Sequence, residues 1–306
     1  MANMQMNKTP MPEQDPQVRN HNFLEVAQGY TLEQAMNEAQ RCIHCKNPAC
    51  VSGCPVGIPI PDFLAKVAEG DIAAALPDRA LRRAFTSGMI LRKLERRDGL
   101  HIDDVPQALE RLAGEGVRDV TVQPTHIMNG EEYDKLMAQA EPFRGWFSRL
   151  AIGRPLLSVE EDYRETAQAL LEVLPERESG TALLFMGHGT EHFANSAYCQ
   201  MEYLLHDLGR TDVLVGTVEG YPGFGEALRR LAERPEVRRT VLYPLMVVAG
   251  DHAKNDLAGP EPGSWRSQLE ARGYEVSCVL SGLGEYPGIR RVFVRHAQEA
   301  AEDGAK

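Results

Sequence analysis

The chain has 306 residues, a quarter of them charged, with a formal net charge of -11. That length allows about two domains with sizeable cores. The acidic balance argues against nucleic acid as a main partner, because such binding rests on a basic surface that neutralises phosphates. No apolar stretch is long enough to span a bilayer. The polar segment 1–19 has no signal-peptide core and is expected to be a disordered lead-in, with the cytoplasm as the default compartment. A homo-oligomer is left open.

Residues 20–76 read as a small helical module. Thr31 and Gln34 suit a capping box for a helix through Arg41, and Pro61 suits the start of another that ends at Gly70. Four of the six cysteines fall within it as Cys42-x2-Cys45-x4-Cys50-x3-Cys54-Pro55. In a reducing compartment such spacing suits thiolates that converge on an iron-sulfur cluster, with structural zinc as the alternative. Residues 41–75 (RCIHCKNPACVSGCPVGIPIPDFLAKVAEGDIAAA) resemble the N-terminal iron-sulfur domain of the glutamate synthase small subunit and of dihydropyrimidine dehydrogenase. The resemblance implies one [4Fe-4S] cluster if Cys54 closes the ligand set. The flavin and nucleotide domains that follow in that family are absent.

From Pro77 onward, short apolar runs alternate with helical stretches, which predicts an α/β fold of parallel sheets flanked by helices. Strands are expected at 83–86, 117–123, 147–152, 181–186, 212–218, 240–248 and 275–280. A weak internal repeat, VTVQPTHIMNGEEYDKL (120–136) against VLYPLMVVAGDHAKNDL (241–257), predicts two similar lobes, 77–178 and 179–306. The first lobe lacks the counterpart of the opening strand and helix of the second. The loss of a central strand would strip neighbours of backbone partners. The first lobe is therefore expected to be unstable, to pair 83–86 directly with 117–123, or to be completed by another chain.

Three polar side chains converge on one edge in this reading. His188 in Gly187-His188-Gly189 follows one apolar run, His252 in Gly250-Asp251-His252 follows another, and Glu219 ends a third. Ligands of open α/β sheets bind beyond the strand C-termini, and flanking glycines let the backbone come close. Two imidazoles and a carboxylate there suit a divalent transition metal. His126 and His192 are taken as structural.

Residues 77–300 resemble the anaerobic sirohydrochlorin cobaltochelatase family, the class II chelatases of cobalamin synthesis. The resemblance rests on PDRALRRAFTSGMILRKLERRDG (77–99), VQPTHIMNGEEYDKL (122–136), FMGHGTEHFANSAY (185–198), VGTVEGYP (215–222), PLMVVAGDHAKNDLAG (244–259) and SGLGEYPGIRRVF (281–293). It implies a two-lobed chelatase that places Co2+ in sirohydrochlorin or a similar tetrapyrrole, with His188, Glu219 and His252 as metal-binding and catalytic residues. The family's usual opening strand and Ser-Phe-Gly-Thr-Ser-type loop are missing. A substrate rich in carboxylates needs a local basic patch, for which Arg92, Lys93, Arg96 and Arg97 are candidates, Arg92 and Lys93 foremost. The alternatives are an iron-sulfur electron-transfer or cluster-binding protein, and a chimera with neither part fully active.

Overall fold

A computed structural model describes residues 9–10, 32–39, 41–42, 45, 81–99 and 101–303. The chain divides into two compact units, Met1–Leu81 and Arg82–Lys306. In the first, helix α1 (Leu32–Ala39) is tied to the segment before it. Thr9 N donates to Glu38 Oε2 at 2.7 Å, and Asn37 Nδ2 donates to Thr9 Oγ1 at 3.0 Å. The expected cap at Thr31, the helix at 61–70, Cys50 and Cys54 lie outside the described residues.

The second unit holds two parallel sheets. Its first part carries α2 (Gly88–Asp98), α3 (Val105–Gly114), β1 (Asp119–Val122), α4 (Glu131–Ala140), β2 (Arg149–Ile152) and α5 (Glu160–Leu171). Ser87 and Asp104 cap α2 and α3 by accepting from Ile90 N and Gln107 N, which satisfies amides that a helix start leaves unpaired. The second part carries β3 (Thr181–Gly189), α6 (Ser196–Asp207), β4 (Val213–Glu219), α7 (Phe224–Ala232), β5 (Arg239–Pro244), α8 (Trp265–Glu270), β6 (Glu275–Cys278) and α9 (Pro287–Asp303).

The four-stranded sheet has the order β4-β3-β5-β6, all parallel. Successive side chains of a strand point to opposite faces, so one sheet carries two cores. Leu183, Phe185, Val213, Val215 and Tyr243 pack with residues of α5, α6 and α9. Ala182, Leu184, Met186, Leu214 and Leu242 face the other way, onto Leu231 of α7 and Trp265 and Leu269 of α8. The switch from β4 on one side of β3 to β5 on the other places the ligand crevice at the C-terminal end of β3.

The first sheet has two strands, β1 paired directly with β2 in parallel. The expected strand at 83–86 is not formed. Phe85 makes only a single bridge to Asp104, its amide donating to Asp103 O at 3.1 Å, and it does not pair with β1. One face of this small sheet, Val120 and Leu150, packs on Leu109 of α3 and Leu136 of α4. Helix α9, from the end of the chain, lies against both strands and against α5.

A buried ionic network pins that arrangement. Asp162 on α5 is fully buried and accepts from Arg154, just after β2, and from Arg295 and His296 on α9. Burial alone would raise its carboxyl pKa. The hydrogen bonds from Arg154, Arg295 and His296 outweigh burial and hold it well below the usual range.

Candidate functional site

The glycines around His188 are there for space. A Cβ on Gly187 would stand 2.2 Å from the Tyr198 ring, and one on Gly189 would stand 1.4 Å from Glu219 O. Gly189 also has φ +83°, a conformation that side-chain-bearing residues rarely adopt. Because both neighbours yield their space, β3 and β4 close together at their ends, where Gly189 pairs with Glu219 in register. His188 points outward and is half exposed. Its Nδ1 lies 2.9 Å from Gly189 O. A carbonyl only accepts, so in the neutral imidazole Nδ1 is the donor and the Nε2 lone pair is left open.

His252 arrives differently from the expectation. Strand β5 ends at Pro244, not at 248, and an irregular stretch carries the chain to His252, which opens a π-helical turn, Ala253–Leu257. Pro244 has no N–H to continue a ladder. The two imidazoles nevertheless meet, with centroids 4.8 Å apart and planes at 88°. His252 Nδ1 is 2.6 Å from Asp256 Oδ2, so in the neutral form this ring too donates from Nδ1 and leaves Nε2 open. Glu219 Oε2 is 3.9 Å from His188 Nδ1, on the side of the ring away from the lone pair. Among the described residues, no three His, Cys, Asp or Glu side chains close on one point at metal-binding separation.

The loops around these residues are locked together. Thr190 N donates to Asn195 Oδ1 at 3.0 Å, and Asn195 Nδ2 donates to Tyr221 O at 2.5 Å. The large apolar side chains of Phe193, Tyr221 and Val248, from the loops after β3, β4 and β5, stand exposed. Together they give the rim an apolar character that suits a flat, hydrophobic ligand face.

Elements of the first part flank the same edge. Lys93 on α2 pairs with the carboxylate of Asp251, next to His252. The Lys93 hydrogen bond and charge, with Arg97 nearby, hold the Asp251 carboxyl below its ordinary value. Arg92 and Arg96 are exposed on the same helix. On the other side, His192 Nε2 lies 3.5 Å from Asp134 Oδ2 of α4.

A second polar cluster escaped the sequence reading. His126, taken as structural, lies with Nε2 3.4 Å from Thr86 Oγ1, and its Nδ1 is buried with no hydrogen-bond partner, as is Glu132 Oε2. Burial lowers the pKa of His126 against the raising effect of Glu132. Orphaned buried polar atoms are uncommon, and each calls for an explanation such as strain, a bound water or ion, or a catalytic role. The signal was present in the internal repeat, where Glu131 falls opposite His252 and Glu132 follows it.

In the first unit, Cys42 and Cys45 are free thiols, half-buried and exposed respectively. They represent half of the cysteine run.

Comparison with known proteins gives two family matches. Residues 62–302 match the cobalt chelatase family (CbiK). Residues 19–86 match the 4Fe-4S cluster domain II of dihydropyrimidine dehydrogenase. A sirohydrochlorin cobaltochelatase of Salmonella typhimurium is 44% identical over 232 residues, 76% of this chain and 87% of that protein. A sirohydrochlorin cobaltochelatase of Nitratidesulfovibrio vulgaris, CbiKC, is 37% identical over 73% of this chain and 79% of its own length. The glutamate synthase small chain of Halomonas elongata is 42% identical over 65 residues, 21% of this chain and 14% of that protein.

Proposed function

Since the chain belongs to the cobalt chelatase family, we propose that it inserts Co2+ into sirohydrochlorin or a similar carboxylated tetrapyrrole, with His188 and His252 presenting the ion. The observation that carries this reading is the meeting of two imidazoles at the switch point of the sheet, each with Nδ1 engaged and Nε2 available. Neutral imidazole suits cobalt, nickel, iron and zinc alike, and two such ligands leave coordination positions for pyrrole nitrogens. That is what a transferring enzyme needs: an ion bound well enough to be delivered and weakly enough to be given up.

Insertion of a divalent ion displaces two protons from the macrocycle, and no electron moves. Glu219, 3.9 Å from His188, would receive a proton or balance the ion's charge. Lys93 and Arg92 on α2 would receive peripheral carboxylates of the ring, as cations do. Phe193, Tyr221 and Val248 give its flat face an apolar rim. Protein with His188→Ala or His252→Ala should insert Co2+ into sirohydrochlorin no faster than the spontaneous background, while its thermal midpoint stays unchanged. Insertion at the wild-type rate in both variants would overturn the assignment.

A second reading concerns the N-terminal module and rests on its family match. Cys42, Cys45, Cys50 and Cys54 would hold a [4Fe-4S] cluster, four thiolates being the ligand set that such clusters take. Cys42 and Cys45 are unbridged, as ligands must be. The cluster would supply electron transfer, which metal insertion does not use. Its home would be the cytoplasm, where thiols stay reduced.

A further inference from the structure

The turn after β5 holds more than His252. Across Ala253–Leu257 the backbone widens to a π-helix, with Ala258 N donating to Ala253 O at 3.2 Å. Single π-turns are uncommon and frequently occur at functional sites. This one is fixed from its buried side. Ala253 and Leu257 are fully buried. A Cβ on Gly259 would stand 2.3 Å from Asn255 O, and Ser264 Oγ donates to Gly259 O at 2.7 Å. On the outer side of this fixed turn, His252 and Asp256 face one another four residues apart, with Nδ1 2.6 Å from Oδ2.

We propose that Asp256 is a positioning residue for the ion-transfer step: it holds His252 in the Nδ1-protonated tautomer and aims the Nε2 lone pair at the incoming divalent ion. The inference rests on the reading of His252 as an ion-binding residue. An ionised carboxylate can only accept, so the short contact fixes which nitrogen carries the proton. Such outer partners orient histidine ligands in many metal sites. His188 obtains the same tautomer from a neutral acceptor, the carbonyl of Gly189. The two imidazoles are thus prepared by different means, and only His252 depends on a replaceable side chain. If the contact were only an exposed i,i+4 helix pair, its removal would leave ion binding untouched.

The test uses the full chain and Co2+ alone, titrated by visible absorption, with the His252→Ala difference isolating binding at this site from binding at the cysteines. Ring-nitrogen NMR of His252 reports the tautomer. Asp256→Ala should weaken the His252-dependent Co2+ binding by about 10- to 100-fold and mix the tautomers, at an unchanged thermal midpoint. Asp256→Asn, whose amide oxygen can still accept from Nδ1, should restore the tautomer and most of the affinity. If Asp256→Ala binds Co2+ like the wild type while His252→Ala does not, the positioning role is wrong and the site stands. Failure of Asp256→Asn to rescue would also overturn the positioning role. If His252→Ala itself binds Co2+ unchanged, the site reading falls, and this inference with it.

Discussion

The two sheets of the second unit are built from similar strands and differ in what surrounds them. In the four-stranded sheet, β3 has a partner on each side, and its residues from Ala182 to Gly187 are buried. In the two-stranded sheet, β1 and β2 have only each other among the described residues, and each buries one residue of four. The larger sheet is covered on both faces, by α5, α6 and α9 on one and by α7 and α8 on the other. The smaller one borrows support from outside, through α3 and α4 on one face and the returning helix α9. A strand run is therefore not sufficient for a sheet; the number of flanks it can cover decides how much burial and pairing it gains.

The sharpest way to break the comparison is at the fastening of the smaller sheet. Asp162→Ala would strip Arg154, Arg295 and the fully buried His296 of their shared carboxylate. Loss of one partner from a buried ionic group costs about 3–5 kcal/mol, so the variant should show that much less stability in denaturant. The pH dependence has a definite sign. The folded pKa of Asp162 is depressed, so its contribution is present above the unfolded value of about 4 and is lost as pH falls toward the folded value. Asp162→Ala should flatten the acid limb of the stability curve. An unchanged limb would show that the network does not fasten the sheet.

Native-state hydrogen exchange sharpens the same contrast at a smaller scale. Amides of β3 and β5 should open only with the whole unit. Those of Asp119–Val122 and Arg149–Ile152 should exchange at least about tenfold faster, the equivalent of ~1.4 kcal/mol, because fewer buried contacts hold them. Equal protection in both sheets would mean that α9 and the ionic network compensate fully for the missing neighbours.

The smallest effect concerns the first part's contribution to the site. The Lys93–Asp251 pair is exposed, and such pairs contribute at most about 1 kcal/mol. Lys93→Ala should leave stability within that margin. If Lys93 receives a substrate carboxylate, the KM for the tetrapyrrole should rise about fivefold with kcat retained. A normal KM would assign Lys93 to Asp251 alone.

Much of the site was legible in residue order. Gly187-His188-Gly189, Glu219 and His252 were readable because strand patterns are local and each ends in residues that a core has no use for. The glycines announced close approach, and the structure shows to what: the Tyr198 ring and Glu219 O. His126 and Glu132 were missed because each alone resembles an ordinary loop or helix residue. What sets them apart is one buried atom on each, His126 Nδ1 and Glu132 Oε2, that has no hydrogen-bond partner. Asp256 was invisible for a related reason, since nothing in the order of residues announces that β5 stops at Pro244 and the chain widens into a π-turn.

By itself, then, the sequence determined the alternation of strands and helices, the parallel α/β class, the run of cysteines near the N-terminus and the placement of His188 and His252 after two of the strand runs, all of which follow from periodicities and spacings within short windows. It also led to the expectation that the first lobe lacks its opening strand, and among the described residues no third strand joins β1 and β2. Only the tertiary structure decided how the remainder closes: 83–86 stays outside the sheet, β1 and β2 pair directly, and α9 returns to cover them. Pairing and burial between residues more than a hundred positions apart, such as Asp162 and His296, depend on the packed whole, and no local pattern encodes them.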